Sequence, residues 1–377
     1  MRIKRRLPVF FGVLLVIAAV ALAVVLRKHA PPEPARLLPG ADGFFYINLQ
    51  WMRRADITGP LPNVPHDAEY EQFVQETGFQ FERDLDKAAF AVHYSGDGAK
   101  NGATAEPRFS EVFVGKIDGE RLRAYLHKLS NSTESYRSTD IYNIPLDGRT
   151  VRVAILSVDM VAVSNHNDPQ VIHGIVDRSR KLASPFGGPA LLRQYYKRVP
   201  LASLVWGIFK ANAASENALS SQAGSSASKL SPFDLSFLFA KPAVIVASVR
   251  YFGAIHFRAE AFTGSDDAAQ HLTEQLSTFL TIFRAAEISV GQQGPDPDVK
   301  QFFEGVKVEQ KKDRTELTAN LSTALIRKLV AAAPNEITPQ AEPQAPSSTA
   351  PDNDKKAKPH RAHAASGKPA TPAAPPR

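Results

Sequence analysis

The sequence predicts an α+β protein: two similar units, each an antiparallel sheet with helices on one face, following an N-terminal transmembrane helix. Three observations predict it. Residues 7–26 form an apolar run without a charged residue. The fragments "FVGKIDGERLRAYLHKL" (113–129) and "FTGSDDAAQHLTEQL" (262–276) each join a strand-like stretch, a glycine, an acidic turn and an amphipathic helix. The patterns around those fragments then follow one another in the same order twice.

The first run is long enough to span. Twenty helical residues rise about 30 Å, the thickness of a bilayer hydrocarbon core. Arg2, Lys4, Arg5 and Arg6 precede it, and Arg27 and Lys28 follow. The heavier basic flank stays inside, so residues 1–6 are cytoplasmic and the remainder is exported. The run reads as an uncleaved signal anchor. Ala21, Leu22 and Ala23 also offer a cleavage site, which would make it a removable signal peptide. Residues 27–42 read as an extended spacer.

The first unit is assigned to residues 43–183. "GFFYINL" opens it as a strand, and "DAEYEQFVQETG" is a short helix closed by Gly78. The strands "AAFAVHY" and "FSEVFVG" flank a polar, glycine-rich loop. Asp118 then caps a helix whose apolar stripe is Leu122, Tyr125, Leu126 and Leu129. "DIYNI" is a short strand. Val151, Val153 and Ile155 alternate with Arg152 and Ala154, the mark of a half-buried strand, and "MVAVSN" pairs with it. Asp168 and Pro169 open the unit's last helix.

Residues 184–199 read as a linker, and the second unit covers 200–333. "SLVWGIFKA" opens it, followed by a Ser/Ala-rich insertion near 212–229 and by "FDLSFLFA" in the place of the short helix. "AVIVASVRY" and "AIHFRAEAF" form a hairpin around Phe252 and Gly253. The next helix shows Ala269, Leu272, Leu276, Phe279, Leu280 and Phe283 on one face. Two alternating strands with Lys311–Asp313 at their turn and the helix "TALIRKLVAAA" complete it. Residues 334–377, rich in Pro, Ala, Ser and Lys, have no hydrophobic periodicity, and their composition predicts disorder.

The formal charge of +7 does not describe the body of the chain. Residues 1–28 carry six bases and no acid, and the tail carries six bases against four acids, so the body between them is within one charge of neutral. That balance disfavours nucleic acid. With no cysteine, disulfides, thiolate metal sites and cysteine nucleophiles are excluded. The last part of the tail, all of one sign, reads as a tether for an anionic envelope polymer or lipid headgroups, or as a solubilising extension.

No nucleophile elbow, Walker loop, zinc-protease helix or EF-hand loop is present, so no catalytic residue and no cofactor are assigned. The one metal alternative is His166, His173 and Asp177, two imidazoles and a carboxylate around a helix start. The plainer reading is turn and capping chemistry beside a surface pair. Glu82, Asp84 and Asp86 in "FERDLDK", and Asp266 with Asp267, fit solvated or capping roles better than a glycosidase pair. The pairs Phe44–Phe45, Tyr195–Tyr196 and Phe302–Phe303 suit a core or an apolar groove.

At "ARLLPGADGFFYINL" and "ETGFQFERDLDKAAFAV" the chain resembles a loose group of bacterial membrane-anchored exported proteins of unknown function. The resemblance covers Leu37 to Val92. It implies an extracytoplasmic α+β domain and carries no activity or site residue with it. The sequence therefore points to a single-pass inner-membrane protein with its body in the periplasm or outside the cell. Its role would be binding or structural. The alternatives are an envelope hydrolase or metal-assisted enzyme with a site between the units, and a carrier of an apolar ligand.

Overall fold

The computed structural model describes residues 30–56, 66–94, 107–146, 148–180, 188–211, 242–290 and 297–332. The expected membrane span at 7–26, the glycine-rich loop at 95–102, the insertion near 212–229 with "FDLSFLFA" after it, and the tail 334–377 lie outside the described residues. Among the described residues no helix is long and apolar enough to cross a membrane. All of them belong to one compact unit, Met1–Asn335.

A mixed α+β architecture results, built on a large antiparallel sheet. The strands are β1 (Gly43–Asn48), β2 (Leu85–His93), β3 (Arg108–Gly115), β4 (Ser132–Tyr136), β5 (Thr139–Leu146), β6 (Arg149–Ser157), β7 (Met160–Ser164), β8 (Val205–Ala211), β9 (Ala243–Tyr251), β10 (Ile255–Phe262), β11 (Lys307–Lys311) and β12 (Arg314–Leu321). The helices are α1 (Glu33–Leu37), α2 (Leu49–Arg54), α3 (Ala68–Thr77), α4 (Phe81–Asp84), α5 (Gly119–Leu129), α6 (Gln170–Arg180), α7 (Ala190–Tyr195), α8 (Asp266–Val290), α9 (Pro297–Gly305) and α10 (Thr323–Ala332). The strands lie side by side in the order β11-β12-β10-β9-β8-β1-β2-β3-β7-β6-β5-β4.

The two halves expected from the sequence are not separate bodies. β1 and β8, their opening strands, pair directly from Gly43 opposite Phe209 to Ile47 opposite Val205. Both strands carry large apolar side chains, and an exposed edge there would leave unpaired backbone groups. Outward from this junction, each side runs through three strands in chain order, then a helix, then returning strands: β1, β2, β3, α5 and the four-strand return β4–β7 on one side, β8, β9, β10, α8, α9 and the hairpin β11–β12 on the other.

Helices cover both faces, which corrects the expectation of one. On the front face α1, α6 and α7 set Leu37, Leu38, Ile172, Ile175, Val176 and Leu192 against Phe44, Tyr46, Ile141, Trp206 and Ile208. The positions between the large residues are Ala89, Ala91, Ala154 and Ala162, all fully buried. Of these, Ala154 reads from the sequence as the solvent side of a half-buried strand, and its burial corrects that reading. The small side chains of all four let α1 and α6 approach the sheet closely. On the back face α5 packs Leu126 against Tyr142, Val153 and Val161. There α8 packs Leu272 against Ala243 and Ile245.

Two stretches assigned as connectors belong to this core. In the spacer, Glu33–Leu37 is helical, and Arg178 donates from Nε to the Leu37 carbonyl at 2.6 Å. In the linker, Ala190–Tyr195 is helical with Leu192 buried. Each offers only a few apolar residues, too short a stripe for periodicity to show. The strand "STESY" (β4) and the helix α9 also went unread, the first because it is polar and lies at the sheet edge.

Helix ends follow the sequence closely. Asp67 accepts from the Tyr70 N–H at 2.7 Å, and Gly78 ends α3 with φ at 73°. Asp118 accepts from the Glu120 and Arg121 N–H groups at 3.1 Å, and Asp168 accepts from that of Gln170 at 2.9 Å. In α8 the stripe outruns the core, leaving Phe279 exposed, and Ile282 beside the stripe is exposed too. Where β3 ends beside the irregular start of β2, a side chain at Gly115 would meet the Asp84 carbonyl oxygen at 2.4 Å. Gly115→Ala therefore forces two backbones apart. The expected loss is about 2 kcal/mol, seen as a lower urea midpoint with an unchanged slope.

Candidate apolar binding site

On the back face, helical cover comes from two directions. One cluster joins Phe73 of α3 and Phe79 to Ala88, Phe90 and Phe113 of β2 and β3. The other joins Leu272 and Leu276 of α8 to Phe209 and Ile245. Between Phe90 and Phe209, over β1 and the facing end of β8, lies a pocket of about 480 Å³. Its floor is open because Gly43 and Gly207 face it without side chains, and Phe45, Phe90, Phe109, Tyr94 and Phe209 stand around it. Phe45 and Phe90 pair with ring centroids 6.0 Å apart, and Phe45 remains 39% exposed. A smaller pocket of about 190 Å³ lies under α3 and α5, lined by Phe79, Phe81, Phe113 and Val163 among others. The larger volume falls in the range of small-ligand sites, which are concave and mostly apolar.

One carboxyl group stands among these rings. In β3 the side chains of Phe109, Glu111 and Phe113 point to the back face, with Glu111 opposite Phe90 on one side and Val163 on the other. Burial among apolar side chains pushes its pKa up to about 7. Among the described residues no side-chain hydrogen bond or ion pair holds it. The sequence offers an apolar groove as one use of the Phe44–Phe45 pair, but Glu111 and the two glycines go unnoticed in it. The signal for Glu111 was there: in "FSEVFVG" period-2 alternation places one acid between two phenylalanines on the same face.

The residues singled out from the sequence are occupied elsewhere. His166, His173 and Asp177 are not gathered, and among the described residues no group of three such side chains could hold a metal ion. The His173 ring stacks on Tyr136 at 4.1 Å, with Nε2 at 2.9 Å from Glu134. Asp177 pairs with Arg137 at 2.8 Å and accepts from the Tyr136 hydroxyl. The His166 Nδ1 accepts from the Asp168 N–H at 3.1 Å, and its ring lies against that of His93. Each has found a nearer partner than a shared ion.

The acids of "FERDLDK" are structural. Glu82 accepts from the Tyr70 hydroxyl at 2.7 Å; Asp84 accepts from the Gln80 N–H and pairs with Arg83; Asp86 pairs with Arg53 at 2.8 Å. Asp266 and Asp267 sit in the first turn of α8, where the helix dipole favours them. A serine–histidine contact exists on the front face, His93 Nε2 to Ser110 Oγ at 3.2 Å. Ser110 is fully buried and shares its hydroxyl with Ser164 at 3.0 Å, so it presents no nucleophile to a substrate.

No protein-family model matches this chain, and no curated protein does. Among solved structures, the chain is similar to crystal form III of TP0453 at 11% identity and a TM-score of 0.41, covering 80% of this chain and 97% of that one. Crystal form I of the same protein gives 10% identity and a TM-score of 0.42, covering 80% and 96%.

Proposed function

We propose that this protein is a membrane-anchored, extracytoplasmic binding protein of the bacterial envelope that holds an apolar ligand on the back face of its sheet. The observation that carries the reading is the aromatic pocket of about 480 Å³ over Gly43 and Gly207. Rings left open to solvent cost apolar hydration, and a ligand that covers them recovers that cost. The position of the pocket supports a duplicated origin for the halves, because it lies where their opening strands meet and each half contributes one wall. The uncharged run at 7–26 and its basic flank support the anchor, and the basic end of the tail supports a tether to anionic envelope polymers or lipid headgroups. In this reading the residues that contact ligand bind it without chemistry.

Two measurements test it. Full-length protein in amphipol, titrated with the apolar fluorophore N-phenyl-1-naphthylamine, gives saturable, one-to-one enhancement above amphipol alone. A linear, non-saturating rise equal to the amphipol background contradicts ligand binding. Protease added to spheroplasts degrades the body, whereas protection until lysis contradicts an exported, anchored protein.

A further inference from the structure

Beside the apolar pocket stands one carboxyl group, on the strand that supplies its Phe109 wall. Glu111 stands on the divide between the two cavities of the back face. Phe90 and Phe109, its cross-strand and same-strand neighbours, line the larger one, and Val163 and Phe113 line the smaller. Phe90 and Phe113 meet edge to face with centroids 5.9 Å apart, so ring faces and a carboxylate share one short stretch of surface. A cation is the group that gains from both, through the ring quadrupole and through the negative charge. An anionic headgroup would gain from neither and would face Glu111 across apolar surroundings.

We propose that the ligand is an amphipathic amine, with its apolar part over Gly43 and Gly207 and its protonated amino group against Glu111. This rests on the apolar-ligand reading above. Glu111 belongs to the wall of β3 that the alternation of Phe109, Glu111 and Phe113 builds, and no partner within the described residues competes for its carboxylate. A bound ammonium supplies the partner that burial otherwise denies it. Ligands of one chain length therefore rank by headgroup: amine first, alcohol next, carboxylate last.

The test is displacement of N-phenyl-1-naphthylamine from full-length protein in amphipol at pH 8 by dodecylamine, dodecanol and dodecanoate. Wild type and Glu111→Gln are run under identical conditions, so that partition into the amphipol cancels. The expected result is that dodecylamine displaces the probe about tenfold more tightly than dodecanol, and dodecanoate more weakly than either. In Glu111→Gln most of the amine's advantage over the alcohol is lost, only the share due to the rings remaining, and the alcohol's own affinity does not move. Equal displacement by amine and alcohol in wild type overturns the headgroup assignment and leaves the apolar site standing, as does an amine preference that the substitution leaves undiminished. A protein that never binds the probe saturably overturns the apolar site and this assignment together. Matching thermal melts of the two proteins at pH 5 exclude misfolding as the cause.

Discussion

Trp206→Ala lowers the free energy of unfolding by about 4 kcal/mol, the largest loss expected from any single truncation in the sheet. Trp206 is 1% exposed and sits in β8 opposite Tyr46 of β1. Its ring stacks on Tyr46 at 5.5 Å and meets the edge of Tyr196 at 5.2 Å, so one side chain ties both halves and the α7 segment together. Removing it opens a cavity at the junction of β1 and β8 that the facing strands cannot collapse to fill, because their register is fixed by the ladder. The indole N–H has no partner among the described residues, so Trp206→Phe loses packing but no hydrogen bond, and about 1–2 kcal/mol is expected for it. Chemical unfolding monitored by circular dichroism reads both. An alanine variant within about 1 kcal/mol of wild type would show that the halves are held together by something other than this junction.

A second large effect concerns Glu111. Its carboxyl is shifted from 4.5 to about 7 by burial, so between those pH values the folded protein holds a proton that the unfolded chain releases. Stability falls with rising pH wherever the folded state binds more protons. The contribution of Glu111 is therefore complete below pH 4.5 and lost as pH rises through 7, with a total of up to about 3 kcal/mol. In Glu111→Gln that slope disappears. Relative to wild type, the variant gains up to about 3 kcal/mol between pH 5 and pH 8. Unfolding midpoints at the two pH values measure the change, and His93, whose pKa burial lowers, titrates alike in both proteins. A difference between variant and wild type that is the same at both pH values would place Glu111 in water.

The ends of elements were legible because single residues decide them. Asp67, Asp118 and Asp168 cap helices by side-chain acceptance, and Gly78 supplies a left-handed turn, all local chemistry. The strands other than β4 were legible along the chain for the same reason: alternation and turn residues act within a few positions. The second layer of helices was not. Whether Ala154 faces water or the underside of α6 depends on a helix that follows β7 and is set by the whole sheet. A similar ambiguity affects Arg258 and Glu260, which alternate along the strand with Phe257, Ala259 and Ala261. Glu260 is 1% exposed, held by Arg258 at 3.2 Å and Arg314 at 3.0 Å. Removing one member of such a buried set costs more than the set contributes, since the remaining charges lose their partners.

The candidate site was legible only in part. An apolar groove lined by aromatic pairs was one of the expected alternatives, and both Phe44 and Phe45 border the pocket, although the Phe44 ring is buried in the front-face core and Phe45 alone turns its side chain to the back face. Glycine in a strand weakens it and marks a close approach or an opening. Gly43 and Gly207 carry that meaning only once β1 and β8 are known to be neighbours, which is long-range information.

The central claim is that the opening over Gly43 and Gly207 is a binding site, and filling it is the direct test. A side chain begun at Gly207 meets its nearest atoms, the Phe209 ring and the Phe44 carbonyl, at 3.6 Å, an ordinary contact, so a larger residue fits the backbone and extends into the pocket. Gly207→Leu keeps the melting temperature of wild type and loses saturable binding of N-phenyl-1-naphthylamine. Binding of the same stoichiometry and affinity in a folded Gly207→Leu protein would contradict the site.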